Sequence, residues 1–211
     1  MAIHEDELSM VRESLSQYLE LARLGIDRAD VLGYAAATLL FAFVDAVGSY
    51  HRRHPTFRVR LEGEELAINQ PHDHLRILNS AYFGLDLTGD QINRLYGLTR
   101  SPLTHNAVLG AGCVLWAGTP AREAIAEERG LLHIYLPGLL ERCENARGLF
   151  LTVAEEVIPE SRAVQELQEK EESREVQVRR VMAELAGSGV FEIAQVTAMG
   201  RTTARSLVPR K

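Results

Sequence analysis

Arg100 and His105 stand five positions apart in LYGLTRSPLTHNAVLG (residues 95–110), with Ser101-Pro102-Leu103-Thr104 between them. The pair joins a permanent, forked cation suited to phosphate oxygens to a ring that exchanges a proton near neutral pH. Internal cleavage of RNA requires those two parts. A base must take the proton of a 2′-hydroxyl, and a fixed positive group must hold the charge that gathers on phosphorus. Neither role needs a metal or other cofactor, and none is expected. Spacing alone carries little weight. In a chain with 23 Lys plus Arg and 7 His, an Arg five residues before a His arises by chance about 0.7 times.

The elements around the pair add to it. Thr88 and Gln91 have the spacing of a capping box that opens a helix through Ile92, Leu95, Tyr96 and Leu98. Pro102 must end that helix, because it disfavours helical geometry at Ser101 and has no N–H for the carbonyl of Leu98. Ser101-Pro102 is also a good helix start, as N-cap and first-turn residue. Arg100 and His105 are therefore expected at a helix-to-helix junction. Backbone N–H groups near Leu103 and Thr104 would add an anion site there and favour the neutral imidazole of His105. Ser101, Thr104 and Asn106 are the supporting polar side chains. Asp45, a carboxylate inside the most apolar helix, needs a donor that Arg100 or His105 could supply, and Tyr96 lies one turn before Arg100.

The rest of the chain reads mainly as helix. Leu8, Val11, Leu15, Tyr18, Leu19 and Ala22 make an apolar stripe over about residues 5–24, with Gly25 expected to stop it. Asp27 or Asp30 can cap a second helix to about Tyr50, apolar on most sides and therefore central. Phe57, Val59 and Leu61 alternate with Arg58 and Arg60, which suggests a hairpin turning at Glu62-Gly63. Residues 73–83 read as helix, and LLHIYLP (131–137) as a strand beside that hairpin. Pro137 opens a helix whose stripe runs through Leu139, Cys143, Ala146, Phe150, Val153 and Val157. The fold expected is all-α: a compact bundle over residues 1–158 with a small β-hairpin insertion. A charged helix follows over 159–186, and a Gly/Ser/Thr-rich tail over 187–211 is expected to be flexible.

With those helices around it, the Arg-x-x-x-x-His segment resembles the signature of the HEPN superfamily, a group of small α-helical bundles. Ser101 stands where the family commonly has Asn after the Arg. The resemblance covers about residues 5–158 as architecture and 100–105 as motif. It implies a metal-independent endoribonuclease, with Arg100 on the scissile phosphate and His105 as acid/base. Many such members are toxins or other defence proteins, and some have lost catalysis. One His cannot easily serve as both base and acid. The family brings two motifs together in a dimer, so the resemblance implies a homodimer. A toxin of this kind would also have a cognate inhibitor as partner.

Composition sets further bounds. The net charge of −6 leaves no general basic surface, so RNA contact has to be local. HRRHPTFRVR (51–60) offers such a patch through Arg52, Arg53, Arg58 and Arg60, although cations there also suit the negative end of the second helix. His51 and His54, or His72-Asp73-His74, lack the partner ligands of a metal site. Cys113 and Cys143 are expected reduced, buried and structural. The acidic start does not look like a signal peptide, and the apolar run Val31–Val44 is short for a bilayer span. A cytoplasmic protein is expected. From a different class comes the alternative of a non-catalytic helical scaffold that assembles through its charged helix. The apolar stripes at 139–157 and 164–185 favour a homodimer in either case.

Overall fold

The structure is a computed structural model and describes residues 5–97, 112–118 and 123–187. Those residues are mostly helical, with small sheets. Residues 1–164 and 165–211 form two compact units.

In the first unit, α1 (Glu5–Asp27) and α2 (Ala29–Tyr50) are separated by Arg28 alone. The stripe of α1 buries Leu15, Leu19 and Ala22, with Leu8, Val11 and Tyr18 partly covered. Gly25 does not stop this helix. A Cβ on it would stand 3.0 Å from the Cβ of Ala36, so its smallness serves the close approach of α2. Neither expected aspartate caps α2, since its N-cap is Arg28 without a side-chain bond. By length and composition Leu32–Tyr50 could cross a membrane. Here Ala36, Ala37, Leu40, Phe43, Val44 and Val47 of that stretch lie in a core shared with the other helices.

The hairpin forms as expected. β1 (Val59–Leu61) pairs antiparallel with β2 (Glu64–Leu66) across Glu62 and Gly63, at φ 51° and 90°. Residues 73–83 are not one helix. A 3-10 helix covers Pro71–Asn79 and ends where Asn79 clasps Leu87 with two bonds, of 2.7 and 2.9 Å. The Thr88–Gln91 capping box opens α3 (Gly89–Leu95).

The strand at 131–135 does not join the hairpin. It is β5 (Leu131–Tyr135), the centre of a separate sheet of order β3-β5-β4 with β3 (Cys113–Trp116) and β4 (Ile125–Glu128). β3 runs parallel to β5, and β4 antiparallel. The tight turn Arg129-Gly130, with φ of 52° and 78°, pairs β5 with its sequence neighbour before any distant edge is reached. The chain thus holds more β structure than one hairpin.

From β5 the chain passes directly into α4 (Leu136–Glu160), with Pro137 in its first turn. Leu139, Cys143, Ala146, Phe150 and Val157 of α4 are buried in the core. That stripe is therefore covered within the chain and offers no surface to a second copy. After Ser161, α5 (Arg162–Gly187) follows. Its part in the second unit is charged, with Arg179 bonded to Glu175 at 2.7 Å and Val176, Val178 and Val181 exposed. Of its expected stripe, the side chains of Val164, Leu167 and Leu185 lie outside the described ones, as do residues 188–211 of the tail.

Two glycines of α2 separate helix propensity from packing. At Gly48 a Cβ would lie 2.4 Å from the backbone oxygen of His74, which cannot swing aside. Alanine gains up to about 1 kcal/mol in propensity, but such overpacking costs about 1–3 kcal/mol. Gly48→Ala should lower the denaturant midpoint. At Gly33 the nearest atom is Ala29 Cβ at 3.9 Å, so Gly33→Ala should raise the midpoint, with a gain in unfolding free energy of about 0.5–1 kcal/mol by urea titration.

Candidate functional site

Arg100, Ser101, Thr104, His105 and Asn106 lie outside the described residues, and so does the helix junction expected there. The two flanks of that segment are described. On the N-terminal side, Arg94 in the last turn of α3 donates to Glu127 Oε1 at 2.6 Å and to the Gly130 carbonyl at 2.7 Å. Gln91 adds a bond to Glu127 at 3.2 Å. The C-terminal flank enters the same sheet, where Leu132 N donates to the Gly112 carbonyl at 2.9 Å. Cys113 and Glu127 both pair with Leu132, so they share one row across the three strands. Two strand spacings put their backbones about 10 Å apart. The described residues on both sides of the segment, Arg94 before it and Gly112-Cys113 after it, thus contact the same small sheet.

Burial pushes the half-buried Cys113 thiol at that row up to about 11, so it is an inert protonated thiol at neutral pH. Cys143 is fully buried, and burial raises its thiol well above the usual range; both cysteines are free. Tyr96, just past α3, is half-buried and packs on the core. The donors expected for Asp45, Arg100 and His105, lie outside the described residues. Among the described residues, Asp45 Oδ1 takes a bond of 3.0 Å from Nδ1 of the buried His74, fastening α2 to the 3-10 helix. This bond gives a structural reason for a carboxylate in an apolar helix.

The outer face of the three-stranded sheet carries Trp116, His133 and Tyr135, with Trp116 well exposed. The indole and imidazole planes differ by 12°, with centroids 6.0 Å apart, and Trp116 Nε1 donates to His133 Nδ1 at 2.8 Å. That distance is shorter than the roughly 3.5 Å at which two ring faces meet. The rings must therefore lie edge to edge. Tyr135 continues the surface at 6.4 Å from Trp116 and 18° from its plane. The three rings thus make an aromatic floor on this face of the sheet, most exposed at Trp116. His133 and Tyr135 alternate with the buried Leu132 and Ile134, a period-two signal visible in LLHIY. Trp116 joins them only through the register of β3.

The basic segment 51–60 surrounds the C-terminal end of α2. Arg53, Arg58 and Arg60 are exposed and Arg52 is half-buried. Arg58 is held by its Nη1, which donates to the Phe57 carbonyl at 2.7 Å. Beside it opens a cavity of about 750 Å³ whose walls include His51, His54, Phe57, Arg58, Tyr82 and Glu156. Only 2% of His51 is exposed, and Phe57 and Tyr82 cover it with centroids at 3.8 and 5.3 Å. Burial, with His54 adding repulsion, lowers its pKa to about 3. A neutral imidazole carries one donor and one acceptor, yet among the described residues neither nitrogen of His51 has a hydrogen-bond partner. Sequence reasoning missed this cavity because its rings come from three separated stretches.

His72 sits 3.4 Å from Asp73, His74 is engaged by Asp45, and His51 and His54 meet edge to face at 5.9 Å. Among the described residues no group of three or more His, Cys, Asp or Glu is placed to share a metal. In comparisons with known proteins, no family model, curated protein or solved structure matches the chain.

The depressed pKa of His51 fixes a pH dependence. Below about pH 6.5 the unfolded chain takes up a proton at this ring that the folded chain refuses until about pH 3. Stability is thus lost as pH falls through that window, with a contribution of up to about 1.4 kcal/mol per pH unit. His51→Phe keeps a ring and removes the titration. Urea unfolding at a series of pH values from 7 to 4 should show a flatter pH dependence in the variant; parallel curves would contradict the assignment.

Proposed function

We propose that the chain is a HEPN-like, metal-independent endoribonuclease acting on single-stranded RNA as a homodimer. The observation that carries this is Arg100-Ser-Pro-Leu-Thr-His105 in a segment whose described neighbours on both sides contact one small sheet in a mostly helical chain. Such flanks suit a site that must hold a scissile bond in place.

In this reading His105 takes the proton of the 2′-hydroxyl, and the 2′-oxygen attacks phosphorus. The bond to the 5′-oxygen breaks, and a second acid protonates that oxygen as it leaves. The second acid is the His105 of another copy, which is why the reading includes a dimer. The apolar stripe of α4 no longer argues for that dimer, because it is spent in the core. The exposed Val176, Val178 and Val181 of α5 offer a further surface for self-association. Arg100 holds the phosphate oxygens through its fork. The open aromatic floor at Trp116 suits unpaired bases, since every base has a face to stack. The exposed arginines of 51–60 suit the backbone.

Cleavage of single-stranded RNA should survive excess chelator, leave a 2′,3′-cyclic phosphate and spare DNA, which lacks the attacking hydroxyl. His105→Ala should lower the rate by about 10²–10⁴-fold. Arg100→Lys should also be poor, because an ammonium cannot reproduce the fork. A fully active His105→Ala protein, or equal cleavage of DNA, would remove the mechanism. A monomer in sedimentation at micromolar concentration would remove the composite site.

Trp116 is the only tryptophan in the chain, so its fluorescence reports on the floor directly. In the His105→Ala background, a single-stranded RNA oligomer should quench it saturably, and double-stranded RNA far less. An emission spectrum unchanged by saturating oligomer would exclude stacking at this surface.

A further inference from the structure

Among the described residues, 173–181 of α5 are exposed throughout, Val178 and Val181 included. β-branched residues weaken a solvated helix, so their place in one needs a reason. Position along the helix supplies it. Val164, Leu167, Val178, Val181 and Leu185 fall on one alternating spacing of three and four residues, the period of a seam between two helices. The same spacing places Glu171 and Arg174 in the gap between Leu167 and Val178. Val176 falls outside this row.

The two charges decide what can cover it. In a parallel pair of identical helices each position meets itself, so Glu171 would meet Glu171 and Arg174 would meet Arg174. Like charges set against each other in this way are costly. An antiparallel pair reverses the order, and Glu171 of each copy comes opposite Arg174 of the other. The same alignment puts Leu167 opposite Val178 and Val164 opposite Val181. Sliding one helix by a heptad sets Glu171 against Val181 or Leu167 instead, and leaves Arg174 against an apolar residue. Only one alignment therefore pairs charge with charge and apolar with apolar. A polar pair within an apolar seam fixes register and orientation at some cost in affinity.

We propose that α5 pairs antiparallel with α5 of a second copy of this chain, centred between Glu171 and Arg174. This pairing rests on the homodimer of the nuclease reading and gives that dimer an interface.

The test is sedimentation of the full chain from low to high micromolar concentration. The wild-type chain should dimerise within that range. Glu171→Arg sets Arg against Arg, and Arg174→Glu sets Glu against Glu, so each should raise the dissociation constant about tenfold or more. Both changes in one chain exchange the charges, restore opposite pairing and should return the dimer to near wild-type strength. In a parallel pair that exchange would restore nothing, because each position would still meet itself. Val178→Asp, a change at an exposed position, should also favour the monomer. A chain that stays monomeric, a dimer that both single reversals leave intact, or a double exchange that recovers nothing overturns the pairing. RNA cleavage assays separate its failure from that of the nuclease reading. A dimer that responds as described but cleaves nothing keeps the pairing and removes the nuclease. Cleavage by a dimer insensitive to both reversals does the opposite.

Discussion

The covering of α2 from Ala36 onward is the constraint from which the arrangement of the first unit follows. A helix with Ala36, Ala37, Leu40, Phe43, Val44 and Val47 fully or almost fully covered needs several partners. α1 supplies one across the Gly25–Ala36 contact, α4 supplies another through Cys143, Ala146 and Phe150, and the 3-10 helix closes a third side. The last approach is the tightest, since backbone at His74 comes to where a side chain on Gly48 would stand. Asp45 and His74 then provide a directional bond in a contact otherwise made of packing.

That arrangement separates two regions with different chemistry along α4. At its N-terminal end sits the small sheet, with the aromatic floor on its outer face and contacts to the described residues on both sides of the Arg100–His105 segment. Near its C-terminal end, rings from the loop before β1, from the turn after the 3-10 helix and from α4 itself enclose His51. The first region offers an exposed aromatic ring at Trp116; the second is a recess beside a buried His51 that has no hydrogen-bond partner among the described residues. A core would ordinarily fill such a position with Phe or Leu, because a buried imidazole without partners costs stability.

Much of the local structure was legible in order of residues alone. The stripes of α1 and α4, the capping box of α3, the Glu62-Gly63 hairpin and Pro137 at a helix start all rest on contacts within a few residues, which spacing encodes directly. The misreadings were of another kind. Gly25 resembles a helix stop in sequence, yet its role is set by Ala36 eleven positions away. The strand 131–135 was visible, but its partners were not, because IAEE in β4 is too polar to announce a strand and Arg129-Gly130 is an unusual turn pair. Pro71-His72-Asp73-His74 packs as a 3-10 helix whose start is fixed by Asp73 accepting from the Asn69 and Gln70 N–H groups.

The candidate sites divide in the same way. The sequence by itself determined the Arg100–His105 pair, the basic stretch 51–60 and the alternation of His133 and Tyr135 with apolar residues, since each is a matter of side-chain type at short spacing. Only the tertiary structure decided that Trp116 lies edge to edge with His133, that Asp45 is bonded by His74, and that His51 is sealed by Phe57, Tyr82 and Phe150. Each of those depends on strand register or on the approach of helices distant in the chain. Hydrophobic burial drives such approaches without regard to which polar group ends up beside which, so no local pattern of residues records the outcome.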